Sequence, residues 1–187
     1  MGNYQNAGAG LRKMFIASLG AIICTVLVII PIVNIIAGIG AIVFGVLSLV
    51  GLYGAGKDIA GCKTAFTLTI VNLVISIVGA LFGSGFLGTV FSIAGYVLSF
   101  LICYFVCTSV SEVMNQIGAA DVAGKGELVW KINAVCYAIL VVVAILGRIP
   151  GLVLVASLAS IGVLIASLVA SIFYMIFLNK SSAALGA

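Results

Sequence analysis

Phe66–Cys107 reads FTLTIVNLVISIVGALFGSGFLGTVFSIAGYVLSFLICYFVC. No charged residue interrupts it, and the nearest charges are Lys63 before it and Glu112 after it. A helix rises about 1.5 Å per residue and a bilayer's hydrocarbon core is about 30 Å thick, so roughly 20 apolar residues cross it. The stretch is long enough for two crossings, and Gly83-Ser84-Gly85 supplies the tight reversal between them. Glycine permits the sharp turn that a continuous helix forbids.

The same pattern repeats outward in both directions. Six apolar segments run Met14–Ile30, Ile35–Tyr53, Phe66–Phe82, Phe86–Cys107, Val129–Gly147 and Pro150–Leu178. Arg12, Lys13, Lys57, Lys63, Lys125, Lys131 and Lys180 flank alternate ends of this ladder, leaving Arg148 alone at the other face. Lys and Arg are retained on the cytoplasmic side of a membrane. The expected fold is therefore an all-α six-transmembrane-helix bundle of three helical hairpins with both termini cytoplasmic, in a plasma-type membrane. The hairpins occupy 14–53, 66–107 and 129–178 of a membrane domain at 14–178, between a cytoplasmic N-terminal segment, 1–13, and a tail, 179–187. Outer turns fall at Pro31-Ile32-Val33-Asn34, Gly83-Ser84-Gly85 and Gly147-Arg148-Ile149-Pro150, where Pro and Gly break helices. The longer connections, Gly54–Ala65 and Ser111–Leu128, lie on the basic side. Within the latter, the fourth helix is expected to leave the membrane and end near Ile117, stopped by Gly118. The rest is a solvated connector and the place for a cytoplasmic partner to dock.

Composition narrows the class. Apolar residues make up 65% of the chain and charged residues 6%, against roughly 45–50% and 25% in soluble domains. A net charge of +4 spread over loops fits topology and anionic headgroups, not nucleic acid, which demands a dense basic patch. Arg12-Lys13 before an apolar run resembles the start of a signal peptide, but no small-x-small cleavage site precedes a polar mature start. The opening MGNYQN lacks the Ser or Thr at position 6 that myristoylation requires.

Catalysis is not expected. The chain has no histidine, and its four acids, Asp58, Glu112, Asp121 and Glu127, all fall outside the apolar segments. A nucleophile with its base, paired acids or a metal cannot be assembled at membrane depth from these residues. Proton-coupled transport through buried acids or histidines meets the same gap. Cys103 and Cys107 stand one helical turn apart, but nothing completes a metal site, so they read as small apolar residues, like Cys24 and Cys136. Cys62 is placed in a loop. No cofactor is expected. Gly83-Ser84-Gly85-Phe86-Leu87-Gly88 spells the dinucleotide fingerprint, yet it lacks the preceding strand and the acid about 20 residues on.

Small residues recur every four positions in several segments. Gly95, Ser99, Cys103, Cys107 and Ser111 form one stripe; Asn72, Ser76, Ala80 and Ser84 form another. Ala37, Ala41 and Gly45, and Gly162, Ala166 and Ala170, repeat the pattern. In lipid such stripes let helix backbones approach closely. The polar residues with most to explain are Asn72 and Asn133, expected to bond across helices to Ser18, Thr69 or Ser76, and Arg148, expected to reach headgroup phosphates. As an alternative, the asparagines form a polar cluster for a ligand and Arg148 meets an anionic solute. The hairpins also resemble one another. Ala9-Gly10-Leu11-Arg12 returns as Ala60-Gly61-Cys62-Lys63 and Val46-Leu47-Ser48 as Val97-Leu98-Ser99, both 51 residues on; Ala123-Gly124-Lys125 follows more loosely. These would be parallel repeats.

Two functions are compatible with these residues. The first is a structural or accessory subunit of a membrane assembly, partnered by other membrane subunits or by itself through small-residue packing. The second is a small-solute binding or translocating subunit. In size and span count the chain resembles the substrate-binding subunits of energy-coupling-factor transporters, which are also six-helix proteins. Ala17-Ser18-Leu19-Gly20-Ala21 is similar to the Ala-x-x-x-Ala of their first helix. The resemblance implies solute binding, but no polar outer pocket is legible in the sequence.

Overall fold

In the computed structural model the described residues are 4–27, 34–82, 85–149 and 151–187, the side chains at 26, 34, 37 and 153 excepted. They form six helices and no strand: α1 (Gln5–Leu27), α2 (Asn34–Ala55), α3 (Ala60–Leu81), α4 (Phe86–Gln116), α5 (Ala120–Leu146) and α6 (Val153–Ala184). All six contain a window long and apolar enough to cross a membrane. This is the architecture of a multi-pass helical membrane protein. Of the expected outer turns, Pro31–Val33, Gly83-Ser84 and Pro150 lie outside the described residues.

The helices form a ring in chain order. Each packs against its successor, and α6 returns to α1. Large apolar side chains such as Ile35, Ile42, Leu81, Phe86, Leu154 and Leu164 point outward. That surface suits lipid, where exposing leucine costs nothing. The tightest packing is at the end of the ring that carries the lysines. Leu11, Val106, Val110, Met114, Phe177 and Leu178 are fully buried there and form one continuous apolar cluster.

Glycines set the closest helix approaches. A Cβ on Gly10 would lie 2.5 Å from the Ala55 nitrogen and the Gly51 oxygen of α2. Gly61 is pressed in the same way on Ser109 and the Phe105 carbonyl of α4. Gly126 rests on Ser111 of α4 and on the Phe177 ring of α6. The third motif's Gly124, by contrast, has open space around it.

The polar connections are shorter and more helical than expected. Cys62 sits in the first turn of α3, fully buried in the core, and not in a loop. Helix formation begins at Ala60 because the apolar Ile59, Cys62 and Ala65 have a core to face. Likewise Ser111–Leu128 is not an open connector. The helix α4 continues to Gln116, Gly118 adopts φ +82°, and the Ala119 N–H donates to the Met114 carbonyl at 2.8 Å. This is the glycine stop expected there. The next helix then starts at once, since Val122 and Ala123 bury against the core and the Ser111 hydroxyl donates to the Ala123 carbonyl at 3.0 Å. Glu127 and Lys131 form an exposed i, i+4 pair at 2.6 Å, contributing about 0.2–0.5 kcal/mol.

Asp58, between α2 and α3, caps α1 from a distance. The Ala7 N–H donates to Asp58 Oδ2 at 2.8 Å and Asn6 Nδ2 donates to Oδ1 at 3.1 Å. A carboxylate there satisfies an orphan N–H and complements the positive helix end. Asp58→Ala is expected to lower stability by about 1–2 kcal/mol, read as a fall in melting temperature in detergent with Trp130 fluorescence as the probe. A melt identical to wild type would show that water replaces the cap without cost.

Candidate functional site: a polar chamber shared by all six helices

The centre of the ring is not filled. A cavity of about 280 Å³ is lined by Met14 of α1, Ser48 and Leu52 of α2, Thr69 of α3, Ser99, Ile102 and Cys103 of α4, Asn133 and Tyr137 of α5, and Ser171 and Tyr174 of α6. Every helix contributes, and seven of these side chains carry a hydroxyl or an amide. None is charged. In an apolar bundle each such group needs a partner, and Thr69, Asn133 and Ser171 find one in their own helices, at the carbonyls of Ala65, Val129 and Ser167.

Ser99 is the hub. Its Oγ accepts a hydrogen bond from Asn72 Nδ2 at 3.1 Å, joining α3 to α4. Tyr137 of α5 lines the same chamber as this serine. The partner of Asn72 is thus Ser99 and not Ser18, Thr69 or Ser76. Ser76 spends its hydroxyl on the Asn72 backbone carbonyl at 2.8 Å, and Thr69 on that of Ala65 at 2.8 Å. The reason is rotational: i and i+4 neighbours on one helix reach each other's backbone, while the Asn72 amide points across to α4. Its Oδ1 is buried with no hydrogen-bond partner. Gly95, one turn from Ser99, faces that oxygen, and a Cβ there would meet it in ordinary van der Waals contact at 3.5 Å.

Asn133 faces the chamber from α5, and its Nδ2 donates to the Val129 carbonyl of its own helix at 3.0 Å. It is not interhelical glue through that nitrogen. The rest of the α4 stripe also faces the bundle: Cys103 lines the chamber, Cys107 is fully buried one turn below with the two sulfurs 3.8 Å apart, and Ser111 bonds to α5. Ala17 is buried, whereas Ala21 faces outward.

A second cavity, about 510 Å³, adjoins the hub between α3 and α4. Its walls include Asn72, Ser76, Gly79, Gly88, Ser92, Gly95, Tyr96 and Ser99. Ser92 and Tyr96 also line a third, about 370 Å³, at the far end beside Thr89, Arg148 and Ser160. Arg148 is exposed, and its Nη2 donates to the Gly85 carbonyl at 3.0 Å, tying the α5–α6 end to the start of α4. It therefore has a protein partner in addition to whatever surrounds it, and it shares no described cavity with Asn72 or Asn133. Among the described residues no group of three His, Cys, Asp or Glu is placed to hold a metal ion.

Single polar residues could be picked out in the sequence, but Ser48, Ser171, Tyr137 and Tyr174 could not. The only signal for Ser48 was its 51-residue offset from Ser99. The chain matches no family model, no curated protein and no solved structure.

Proposed function

We propose that this protein is a non-catalytic membrane protein that binds a small uncharged polar solute in its central chamber, as a binding or translocating subunit. The observation that carries this reading is the convergence of uncharged hydrogen-bonding side chains from all six helices on one cavity. A bundle needing only to fold would fill its axis with aliphatic side chains, because buried polar groups cost stability wherever a partner is missing. Orientation and scale set the chemistry. The volume is just below the roughly 300–1,000 Å³ of drug-sized sites, and an ion entering without a counter-charge would lose its hydration uncompensated.

In this reading the protein lies in a plasma-type membrane as three hairpins with both termini cytoplasmic. Support comes from the grouping of Arg12, Lys13, Lys57, Lys63, Lys125, Lys131 and Lys180 at one end, which the positive-inside rule assigns to the cytoplasm. The contact of Gly8 with Leu185 and Ala187 brings the two ends of the chain together at that end. The hairpins are parallel repeats: Ser48 and Ser99 both face the chamber, and Gly10 and Gly61 both take the closest approach to the next helix. Non-catalysis rests on the missing histidine and on all four acids lying outside the apolar segments, three of them engaged, Asp58 as a cap and Glu127 and Asp121 with lysines.

A second reading, as a structural or accessory subunit of a membrane assembly, is favoured by a separate observation. Ala41 and Gly45 of α2 and Gly162 and Ala166 of α6 face outward, with open space around both glycines. One experiment separates the readings. Uncharged solutes (glycerol, urea, acetamide, small sugars) and charged counterparts such as acetate and ammonium are titrated into the purified protein. The solute reading expects an uncharged compound to raise the melting temperature as ligand linkage requires, and that gain to vanish in Ser171→Leu. No stabilisation by any uncharged solute, together with co-purification of a stoichiometric membrane partner, would favour the assembly reading.

A further inference from the structure

From the three cavities we infer that the chamber is loaded from the Arg148 end, along the inner face of α4, by a solute carrying an O–H or N–H donor, and that the apolar cluster at the lysine-rich end is the closed gate. This rests on the solute reading for what travels; the route itself rests on the cavities.

The walls are shared stepwise. Thr89, Ser92 and Tyr96 line the space beside Arg148, Ser92, Tyr96 and Ser99 line the next, and Ser99 lines the chamber. Ser92, Tyr96, Ser99 and Cys103 recur at three- and four-residue intervals, so one face of one helix runs the length of the path. At about 1.5 Å per residue, Ser99 lies roughly 20 Å from the start of α4. The path is widened where Gly79, Gly88 and Gly95 withhold side chains. Midway stands Asn72 Oδ1, buried and lacking a donor, although it is adjacent to a cavity. An amide oxygen in that position is under-satisfied until something donates to it. A rotation of the Asn72 side chain turns that oxygen into the cavity it lines, where a solute hydroxyl or amide N–H donates to it.

The other direction is shut. Met14 and Leu52 form part of the chamber wall and belong to the buried apolar cluster, behind which stand Leu11, Val106, Cys107, Val110, Phe177 and Leu178, all fully buried. Cys103 is on the chamber side of this boundary and Cys107, one turn on, is inside it. The native cysteines therefore report the boundary directly.

The test uses full-length protein in membranes, with all native cysteines replaced except Cys103 or except Cys107. A small uncharged hydrophilic methanethiosulfonate is the probe. The Cys103-only protein is expected to label and the Cys107-only protein to resist. Ser92→Trp, which plugs the path two turns above Ser99, should abolish Cys103 labelling while the melting temperature shows the bundle still folded. A Ser92→Cys protein should label with a charged impermeant reagent added from the Arg148 side. Cys103 labelling that persists in Ser92→Trp, or that fails in the unplugged protein, overturns the route. If the route holds but no uncharged solute slows Cys103 labelling or stabilises the protein, the solute reading falls and the route stands. If a solute stabilises wild type and Ser92→Trp equally, the reverse is true.

Discussion

Ser99→Leu is expected to destabilise the bundle by about 1–3 kcal/mol and to abolish solute binding. Two separable effects combine. The substitution removes the one hydrogen-bond partner that the Asn72 side chain has among the described residues, leaving its whole amide unpaired, which costs about 1–3 kcal/mol. It also puts a branched apolar side chain into the chamber, where it takes the space a solute would fill. Ser99→Ala isolates the first cost, because it deletes the hydroxyl without adding volume. Leu98→Ile, a volume-conserving change on the same helix, is the control and should cost under about 1.5 kcal/mol. Thermal melts followed by the single Trp130 measure all three. Its ring packs edge-on against Tyr104 of α4 with centroids 5.3 Å apart, so its emission reports the α4–α5 contact. A Ser99→Leu protein that melts with wild type would show that the α3–α4 bond contributes nothing, and would remove the hub from the argument.

Gly10→Val is the second large effect, expected to cost about 3 kcal/mol, which for a chain of this size lowers the melting temperature by roughly 6–12 °C. The obstruction at Gly10 is backbone: Ala55 N and Gly51 O at 2.5 Å and Ala55 Cα at 3.0 Å from the added Cβ. Backbone cannot rotate out of the way as a side chain can, so α1 and α2 must separate along the crossing. In the reciprocal direction Gly51 faces the Gly10 carbonyl and Met14, so both glycines serve one contact. Gly45→Ala, on the outward face of the same α2, meets nothing within 4 Å. It should be neutral or stabilising by up to about 1 kcal/mol through lower backbone entropy. Equal melting temperatures for Gly10→Val and Gly45→Ala would mean that the α1–α2 crossing is loose.

The sequence by itself determined the membrane class, six crossings, the near-absence of charge at depth and the stop at Gly118. Each of these follows from composition and from period, which are local quantities. Helix ends on the basic side were less legible, because Ser111–Leu128 and Ala60–Ala65 look polar enough to be loops. What makes them helical is burial of Cys62, Val122 and Ala123 against residues far away in the chain. The site was read one residue at a time and never as a site. Asn72 was visible as costly, but its partner could not be named, since Ser18, Ser48, Thr69, Ser76 and Ser99 all offer a hydroxyl and only the rotation of α3 against α4 selects Ser99. Tertiary structure alone decided that Ser48, Thr69, Ser99, Asn133, Tyr137, Ser171 and Tyr174 face a common space. The physical reason is that an amphipathic period tells inside from outside only when the outside is water. Here the outside is lipid and most of the inside is equally apolar. The direction each polar group faces is then set by how six helices close into a ring.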